Sequence, residues 1–265
     1  DLSRWKTQLA AGQPTDLGEF SEKVRHFNAP NSIVVDCTGE EPAVQAYLDL
    51  LRSSISVVTS SKMANTLTQK FYHQLRMTAS EHGAQFRYST NVGAALPIID
   101  SIKNIVQNGD AVETIEAVLS GTMSFIFNSV NDGKLFSEAV REAIDGGLTE
   151  PDPRIDLSGT DVARKLLILI REAGFEMELK DIEIEHYLPQ SVLRSADLHA
   201  SAADADAALR DRRVAAQQRG RSLFFIARFE HGRARIGLEE VTPQHPFYHI
   251  SGHDNIVSLT TRSLY

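Results

Sequence analysis

The stretch SIVVDCTGEEPAVQAYLDLLRSSISVVTSSK, residues 32–62, decides the fold. Ile33 to Cys37 is a nearly continuous apolar run, the pattern of a strand buried on both faces. Pro42 then stands where a first helical residue belongs. Val44, Tyr47, Leu48 and Leu51 recur at helical spacing, and Ile55 to Thr59 reads as a second strand. Strand, helix and strand make a βαβ unit, expected to be right-handed with parallel strands. Working outward, a helix is expected over 66–82 and a short strand from Gln85 to Tyr88. Residues 1–30 are polar and weakly patterned, which reads as loop and short helix.

The rhythm changes after Pro97. Helices are expected over 98–107, 122–131, 136–145 and 203–219, and a half-buried strand from Glu113 to Leu119. A long helix is expected over 158–173, with Ser158 as N-cap, Leu166, Leu167, Leu169 and Ile170 as its apolar stripe, and Gly174 just past its end. Strands are expected over 222–229, 233–241 and 255–262, the first two joined by a tight turn at Glu230-His231-Gly232. The chain thus reads as an α/β part over 1–95 and an α+β part with an antiparallel sheet over 96–265.

With 265 residues there is room for two modest domains. A net charge of −8 disfavours nucleic acid or an anionic membrane as main partner and leaves a small-molecule ligand as the expectation. The single cysteine, Cys37, cannot build a disulfide framework, so a reducing cytoplasm is expected, with Cys37 a small buried strand residue. No apolar stretch approaches the ~20 residues a membrane helix needs. The first residue is Asp1 rather than Met, so the chain is expected to begin inside a longer protein.

Four segments could carry chemistry. The densest is GLTEPDPRIDLSGTDVARK, residues 147–165, a proline-stiffened acidic loop running into the long helix. Asp161 and Lys165, four apart, share one helical face, either as a surface ion pair or as a functional pair. The second is Val57 to Lys62, where a buried strand ends in a small polar turn. Ligands of open parallel sheets bind outside such strand ends, so Lys62 is either a ligand contact or a solvated loop lysine. Thr38 ends the preceding strand in the same manner, as a cofactor contact or an ordinary turn residue. The third, TNVGAALP at residues 90–97, lets backbone carbonyls approach a ligand or ion, or else marks tight packing at a domain junction. The fourth is the strand-to-helix turn LSGTMS at residues 119–124, whose amides could receive a carboxylate or simply start a capped helix. His245, His249 and His253 have helical spacing, but Pro246 and Gly252 argue against a helix and so against a metal site.

Taken together, LTEPDPRIDLSGTDVARKLLILIRE, TNVGAALP, LSGTMSFIFN and IEIEHYLP resemble homoserine dehydrogenase, most like the form fused to an aspartate kinase. The resemblance covers most of residues 33–190 and weakens beyond. It implies a partial dinucleotide-binding domain with a Rossmann-type parallel sheet, then a substrate-binding and dimerisation domain. It implies interconversion of L-aspartate 4-semialdehyde and L-homoserine with NADP(H) or NAD(H), on the way to threonine, methionine and isoleucine. In that scheme Lys165 matches the catalytic lysine, an amine that gives up and regains a proton. Glu150 and Asp161 match the residues that hold the amino acid. Lys62 matches a lysine near the cofactor and reacting oxygen, and Thr38 and Gly147 line the nicotinamide end. Val92, Ala94 and Leu96 match carbonyls that hold a structural sodium ion. A homodimer is implied, as is covalent fusion to an aspartate kinase domain.

The chain departs from the family pattern in three places. Ser89 stands where many relatives carry an acidic residue at the cation site, and Leu148 where many carry Tyr. No two glycines are separated by a single residue, so the G-x-G-x-x-G turn that cradles a pyrophosphate is missing, and the first βαβ unit is expected upstream of Asp1. That absence keeps an alternative open, a truncated non-catalytic dimerisation or regulatory fragment of the same enzyme. A different amino-acid dehydrogenase is a third reading, against which the Glu150-to-Lys165 motif argues.

Overall fold

A computed structural model of the chain describes residues 2–12, 16–27, 29–195 and 197–263. The chain divides into two units: residues 1–64 with 70–88, and residues 65–69 with 89–265.

In the first unit, helices α1 (Trp5–Ala10) and α2 (Leu17–Phe27) occupy the polar N-terminal stretch that reads as loop and short helix. Then β1 (Ile33–Asp36), α3 (Glu41–Arg52) and β2 (Ser56–Thr59) form the expected parallel βαβ unit, in register from Ile33 opposite Ser56 to Asp36 opposite Thr59. Pro42 lies in the first turn of α3, where its missing N–H costs nothing. Val44, Tyr47, Leu50 and Leu51 bury the inner face of α3. The helix expected over 66–82 is two pieces, α4 (Met63–Thr66) and α5 (Gln69–Glu81), before the short β3 (Phe86–Arg87) completes the sheet order β1-β2-β3. Burial of β1 on both faces is not observed: Ile33 is 61% and Val35 63% exposed. Among the described residues β1 is an edge strand, and Asp36 on its more buried face accepts from Tyr47 of α3. Cys37, one residue beyond the strand, is exposed rather than buried.

The second unit holds α6 (Ile98–Gln107), β4 (Val112–Val118), α7 (Gly121–Asn131), α8 (Phe136–Asp145), α9 (Pro153–Leu157), α10 (Thr160–Glu172), β5 (Glu183–Ile184), α11 (Gln190–Arg194), α12 (Leu198–Ala202), α13 (Asp206–Gln218), β6 (Ser222–Glu230), β7 (Arg233–Val241) and β8 (Ile256–Thr261). Its sheet runs β5-β7-β6-β4-β8 and is antiparallel except for the two-residue parallel edge β5. His231 (φ 51°) and Gly232 (φ 74°) make the two-residue hairpin turn between β6 and β7, both left-handed as a type I′ turn requires. Residues alternate across β6. Phe225 and Phe229 face aromatic partners Phe127 and Phe175, while Phe224 and Ile226 pack with Val118, Val241 and Phe247 on the other side.

The helix expected from Ser158 starts later. Ser158 ends the short α9, and Gly159, left-handed at φ 74°, sits at the N-terminus of α10. A Cβ at Gly159 would lie 3.0 Å from Phe225 Cζ, so the corner between α9 and α10 accepts only glycine without displacing the core. From Leu166 to Glu172 every residue of α10 is buried. Arg171 is among them. Its guanidinium donates to the carbonyls of Asn65 and Leu67, each at 2.8 Å, to that of Met177 at 2.8 and 3.1 Å, and to the Glu178 carboxylate at 3.2 Å. Five N–H donors meet four acceptor atoms, the Met177 carbonyl taking two of them, which is how a buried guanidinium becomes tolerable.

Candidate functional site

The corner between α9 and α10 organises the acidic motif. Asp152 caps α9 by accepting from Arg154 N at 3.1 Å, with Pro153 in the first turn. Asp156, buried inside the apolar triplet Ile155-Asp156-Leu157, accepts from Glu150 N at 2.9 Å. The loop backbone is therefore tied down while the Glu150 side chain stays exposed. Tyr187 braces the same corner from below by donating to the Leu157 carbonyl at 3.1 Å. Removal from water, then the charge of Asp156, pushes the Tyr187 phenol well above its ordinary range, so it remains a neutral donor.

One turn into α10, the Lys165 ammonium lies 2.8 Å from Asp161 Oδ2 and donates to the Leu119 carbonyl at 2.8 Å. Both side chains of the pair are 19% exposed, so this is a partly desolvated ion pair rather than a surface one. Leu119 immediately follows β4, and the next residue, Ser120, caps α7 by accepting from Met123 N at 3.2 Å. Thr122 Oγ1, in the first turn of α7, donates to the Leu148 carbonyl at 2.6 Å and so reaches the loop that follows α8. Gly147 in that loop is left-handed at φ 66°, and a Cβ there would meet nothing within 4 Å. A cavity of about 570 Å³ is lined by Gly147, Thr149, Glu150, Asp152, Arg154 and Asp197 among others. Gly147 and Glu150 thus share a cavity; Asp161 and Lys165 share an ion pair.

Thr38 and Lys62 belong to the first unit, just past the ends of β1 and β2. Thr38 donates through both N and Oγ1 to Asp36 Oδ1, each at 2.7 Å. The Tyr47 hydroxyl donates to the other oxygen of Asp36. Burial works to raise the Asp36 carboxyl, but the hydrogen bonds from Tyr47 and Thr38 outweigh it and hold the group below the usual carboxylate range.

At the expected cation position, Gly93 (φ 76°) and Ala94 (φ 50°) are consecutive left-handed residues that fold the backbone between Val92 and Leu96. The Leu96 carbonyl accepts from Ile98 N at 2.8 Å. Ser89 Oγ donates to Asp100 Oδ2 at 3.2 Å, which brings a carboxylate to the residue that departs from the family pattern. His245 to His249 span a single 3-10 turn, with His245 Nδ1 accepting from Phe247 N, and no cluster of three or more His, Cys, Asp or Glu suited to a metal occurs among the described residues.

Asp161, Lys165 and Glu150 are marked in the sequence as candidates, whereas Asp156, Tyr187 and the Thr122 hydroxyl are not. The available signal for Asp156 was a carboxylate flanked by two large apolar residues. Nothing local marks Tyr187 or Thr122, whose acceptors lie 30 and 26 residues away.

Comparison with known proteins shows the family. A family model described as homoserine dehydrogenase matches residues 97–265, and one described as homoserine dehydrogenase, NAD binding domain, matches residues 3–89. A bifunctional aspartokinase/homoserine dehydrogenase of Haemophilus influenzae is 38% identical over 99% of the chain, and one of Arabidopsis thaliana is 37% identical over 98%. The chain spans about a third of the length of these relatives, 33% and 29%. A crystal structure of a Candida auris protein of unknown function superposes with a TM-score of 0.89 at 29% identity, covering 99% of this chain and 76% of that one. A hyperthermophilic archaeal homoserine dehydrogenase in complex with NADPH shares the fold, with a TM-score of 0.66 at 24% identity over 88% of this chain and 62% of that one. From the acidic corner through the carboxyl-terminal sheet, and again across the parallel sheet, the chain belongs to the homoserine dehydrogenase family.

Proposed function

We propose that the chain supplies the substrate chemistry of an oxidoreductase that interconverts L-homoserine and L-aspartate 4-semialdehyde with NADP(H) or NAD(H), in the biosynthesis of threonine, methionine and isoleucine. The observation that carries this reading is the Lys165 amine, held between the Asp161 carboxylate and the Leu119 carbonyl at the entrance to α10. Those two contacts use two of its three N–H groups, and the third serves the C4 oxygen of the substrate. Lys165 carries the proton at that oxygen as general acid in one direction and general base in the other. Glu150 and Asp161 hold the substrate ammonium by charge-assisted hydrogen bonds. Asp156 keeps the Glu150 backbone in place while this happens.

The strand-end residues fit a nicotinamide. Thr38 and Lys62 follow the carboxyl ends of adjacent parallel strands, and Gly39, left-handed at φ 72° with open space around a would-be Cβ, permits close approach. A nicotinamide bound there would supply the hydride chemistry at C4. Lys62 contributes positive charge beside the cofactor and the reacting oxygen, and Gly147 lines the same end. The carbonyls of Val92, Ala94 and Leu96 hold a structural sodium ion in this reading.

The family relatives named as fusions support covalent linkage to an aspartate kinase domain. No helix among the described residues is long and apolar enough to cross a membrane, and with the lone cysteine this supports a cytoplasmic enzyme. The family resemblance implies a homodimer built on the antiparallel sheet. The test is oxidation of homoserine with NADP⁺, followed by the absorbance of the reduced nicotinamide. Loss of turnover in Lys165→Ala with the fold intact is expected, and full activity in that variant overturns the proposal. NADPH fluorescence titration separates it from the non-catalytic fragment, which binds no cofactor.

A further inference from the structure

Two buried polar groups of the first unit have no part in the chemistry above. Asp36 is 6% exposed and Tyr47 1%. A buried carboxylate and a buried phenol are retained only when their hydrogen bonds are satisfied, and the way these are satisfied is specific. The Tyr47 hydroxyl has one proton, and it goes to Asp36 Oδ2. The Thr59 side chain also hydrogen-bonds the Tyr47 oxygen, so Thr59 must be the donor there. Thr59 Oγ1 accepts in turn from Ser61 N at 3.0 Å, and Ser61 Oγ from Met63 N at 3.3 Å. On the other side, Asp36 Oδ1 takes both the amide and the hydroxyl proton of Thr38. A single line of hydrogen bonds therefore runs from the turn after β1, through the middle of α3, to the turn after β2.

Every proton on that line has a set direction. The Thr38 hydroxyl has spent its only proton on Asp36. It also receives Glu40 N at 3.2 Å, which leaves one lone pair free. Thr38 itself is exposed. Towards a ligand it can only accept. The part of a nicotinamide that donates is its carboxamide NH₂.

We infer that Tyr47 is a positioning residue that ties together the two strand-end turns carrying Thr38 and Lys62, and that Asp36 and Tyr47 fix Thr38 as a hydrogen-bond acceptor for the carboxamide N–H of the cofactor. The second half of this inference rests on the nicotinamide reading above; the first does not.

The experiment has two arms on the protein and its variants. Without cofactor, amide hydrogen exchange is expected to speed up severalfold at Thr38 and Ser61 in Tyr47→Phe, with Leu75 in α5 unchanged. Fluorescence titration is then expected to show NADPH binding weakened about three- to tenfold in both Tyr47→Phe and Thr38→Val, the loss of one ordinary hydrogen bond. The reduced 3-acetylpyridine analogue, which has a methyl group in place of the NH₂, is expected to lose less than about twofold in Thr38→Val. Equal losses for the two cofactors overturn the acceptor assignment. Unchanged exchange at Thr38 and Ser61 in Tyr47→Phe overturns the tie. A protein whose exchange responds as stated but which binds neither cofactor overturns the nicotinamide reading and the acceptor assignment with it, while supporting the tie. If Tyr47→Phe does not fold, Asp36→Asn, of the same size, gives the same two readouts.

Discussion

The Lys165 ammonium and the carbonyl oxygen of Leu119 lie 2.8 Å apart, one on α10 and the other just past the end of β4. The bond fixes the height of the amine above the sheet independently of its partner Asp161. Replacing Lys165 by Met keeps most of the stem and removes the proton carrier. Turnover is expected to fall by about 10²- to 10⁴-fold, the range for loss of a positioned acid/base group, with the far-ultraviolet circular dichroism unchanged.

In the proposed reading, Asp156 positions the substrate-holding Glu150 through its backbone amide. In Asp156→Ala the Glu150 amide loses its acceptor, a cost of about 1–3 kcal/mol where the group stays buried. The loop then samples other positions. KM for homoserine is expected to rise about tenfold or more while KM for the cofactor stays within about twofold, as steady-state kinetics with each substrate varied will read.

Gly159→Ala confronts two penalties at once, a left-handed backbone at φ 74° and a Cβ 3.0 Å from Phe225 Cζ. The variant is expected to be destabilised by about 1–3 kcal/mol in urea unfolding. Ser158→Ala, one residue earlier, is expected to change stability by less than about 1 kcal/mol, because Ser158 is not the cap of α10.

Arg171→Met leaves the carbonyls of Asn65, Leu67 and Met177 without their donor. A loss of about 3–5 kcal/mol is expected, on the scale of breaking a buried charged cluster from one side. Thermal unfolding followed by circular dichroism checks it. An unchanged midpoint shows that the clamp contributes nothing.

Glu239 supplies a pH signature. Burial tends to raise its carboxyl, but hydrogen bonds from Arg228 and Arg235 outweigh that and hold it below its usual value. A group lowered in the folded state stabilises the fold above its unfolded pKa of 4.5 and loses that contribution as pH falls through the folded value. The melting temperature is therefore expected to drop as the pH is taken below about 4.5. Glu239→Gln is expected to be less stable than the parent at neutral pH and to show a shallower drop.

Much of this molecule is legible in its sequence because local signals and tertiary context agree. Pro42 and the spacing of Val44, Tyr47 and Leu51 specify α3, and α6 and β7 fall where their patterns place them. The misreadings have physical causes. The apolar run Ile33 to Cys37 predicts burial of β1 on both faces, yet such a run cannot tell a central strand from an edge one, and Ile33 and Val35 are exposed. Ser158 has the chemistry of an N-cap, but Gly159 can turn the chain where serine cannot, so the helix begins after the glycine. At the candidate site the charged residues stand out because they fall in one acidic stretch broken by two prolines. Their supports do not, since Tyr187, Thr122 and Asp156 act through backbone groups that sequence does not display.

Helix α10 has a consequence for how the protein tolerates change. Of its residues from Thr160 to Glu172 only Arg164 is exposed. Lys165 and Asp161 occupy its first half and Arg171 its second, with the core side chains between them. Random substitution along these thirteen residues will find almost no neutral positions. Variants selected for thermal tolerance are expected to accumulate their changes elsewhere, on the outer faces of α5 and α13, and to leave this helix nearly untouched.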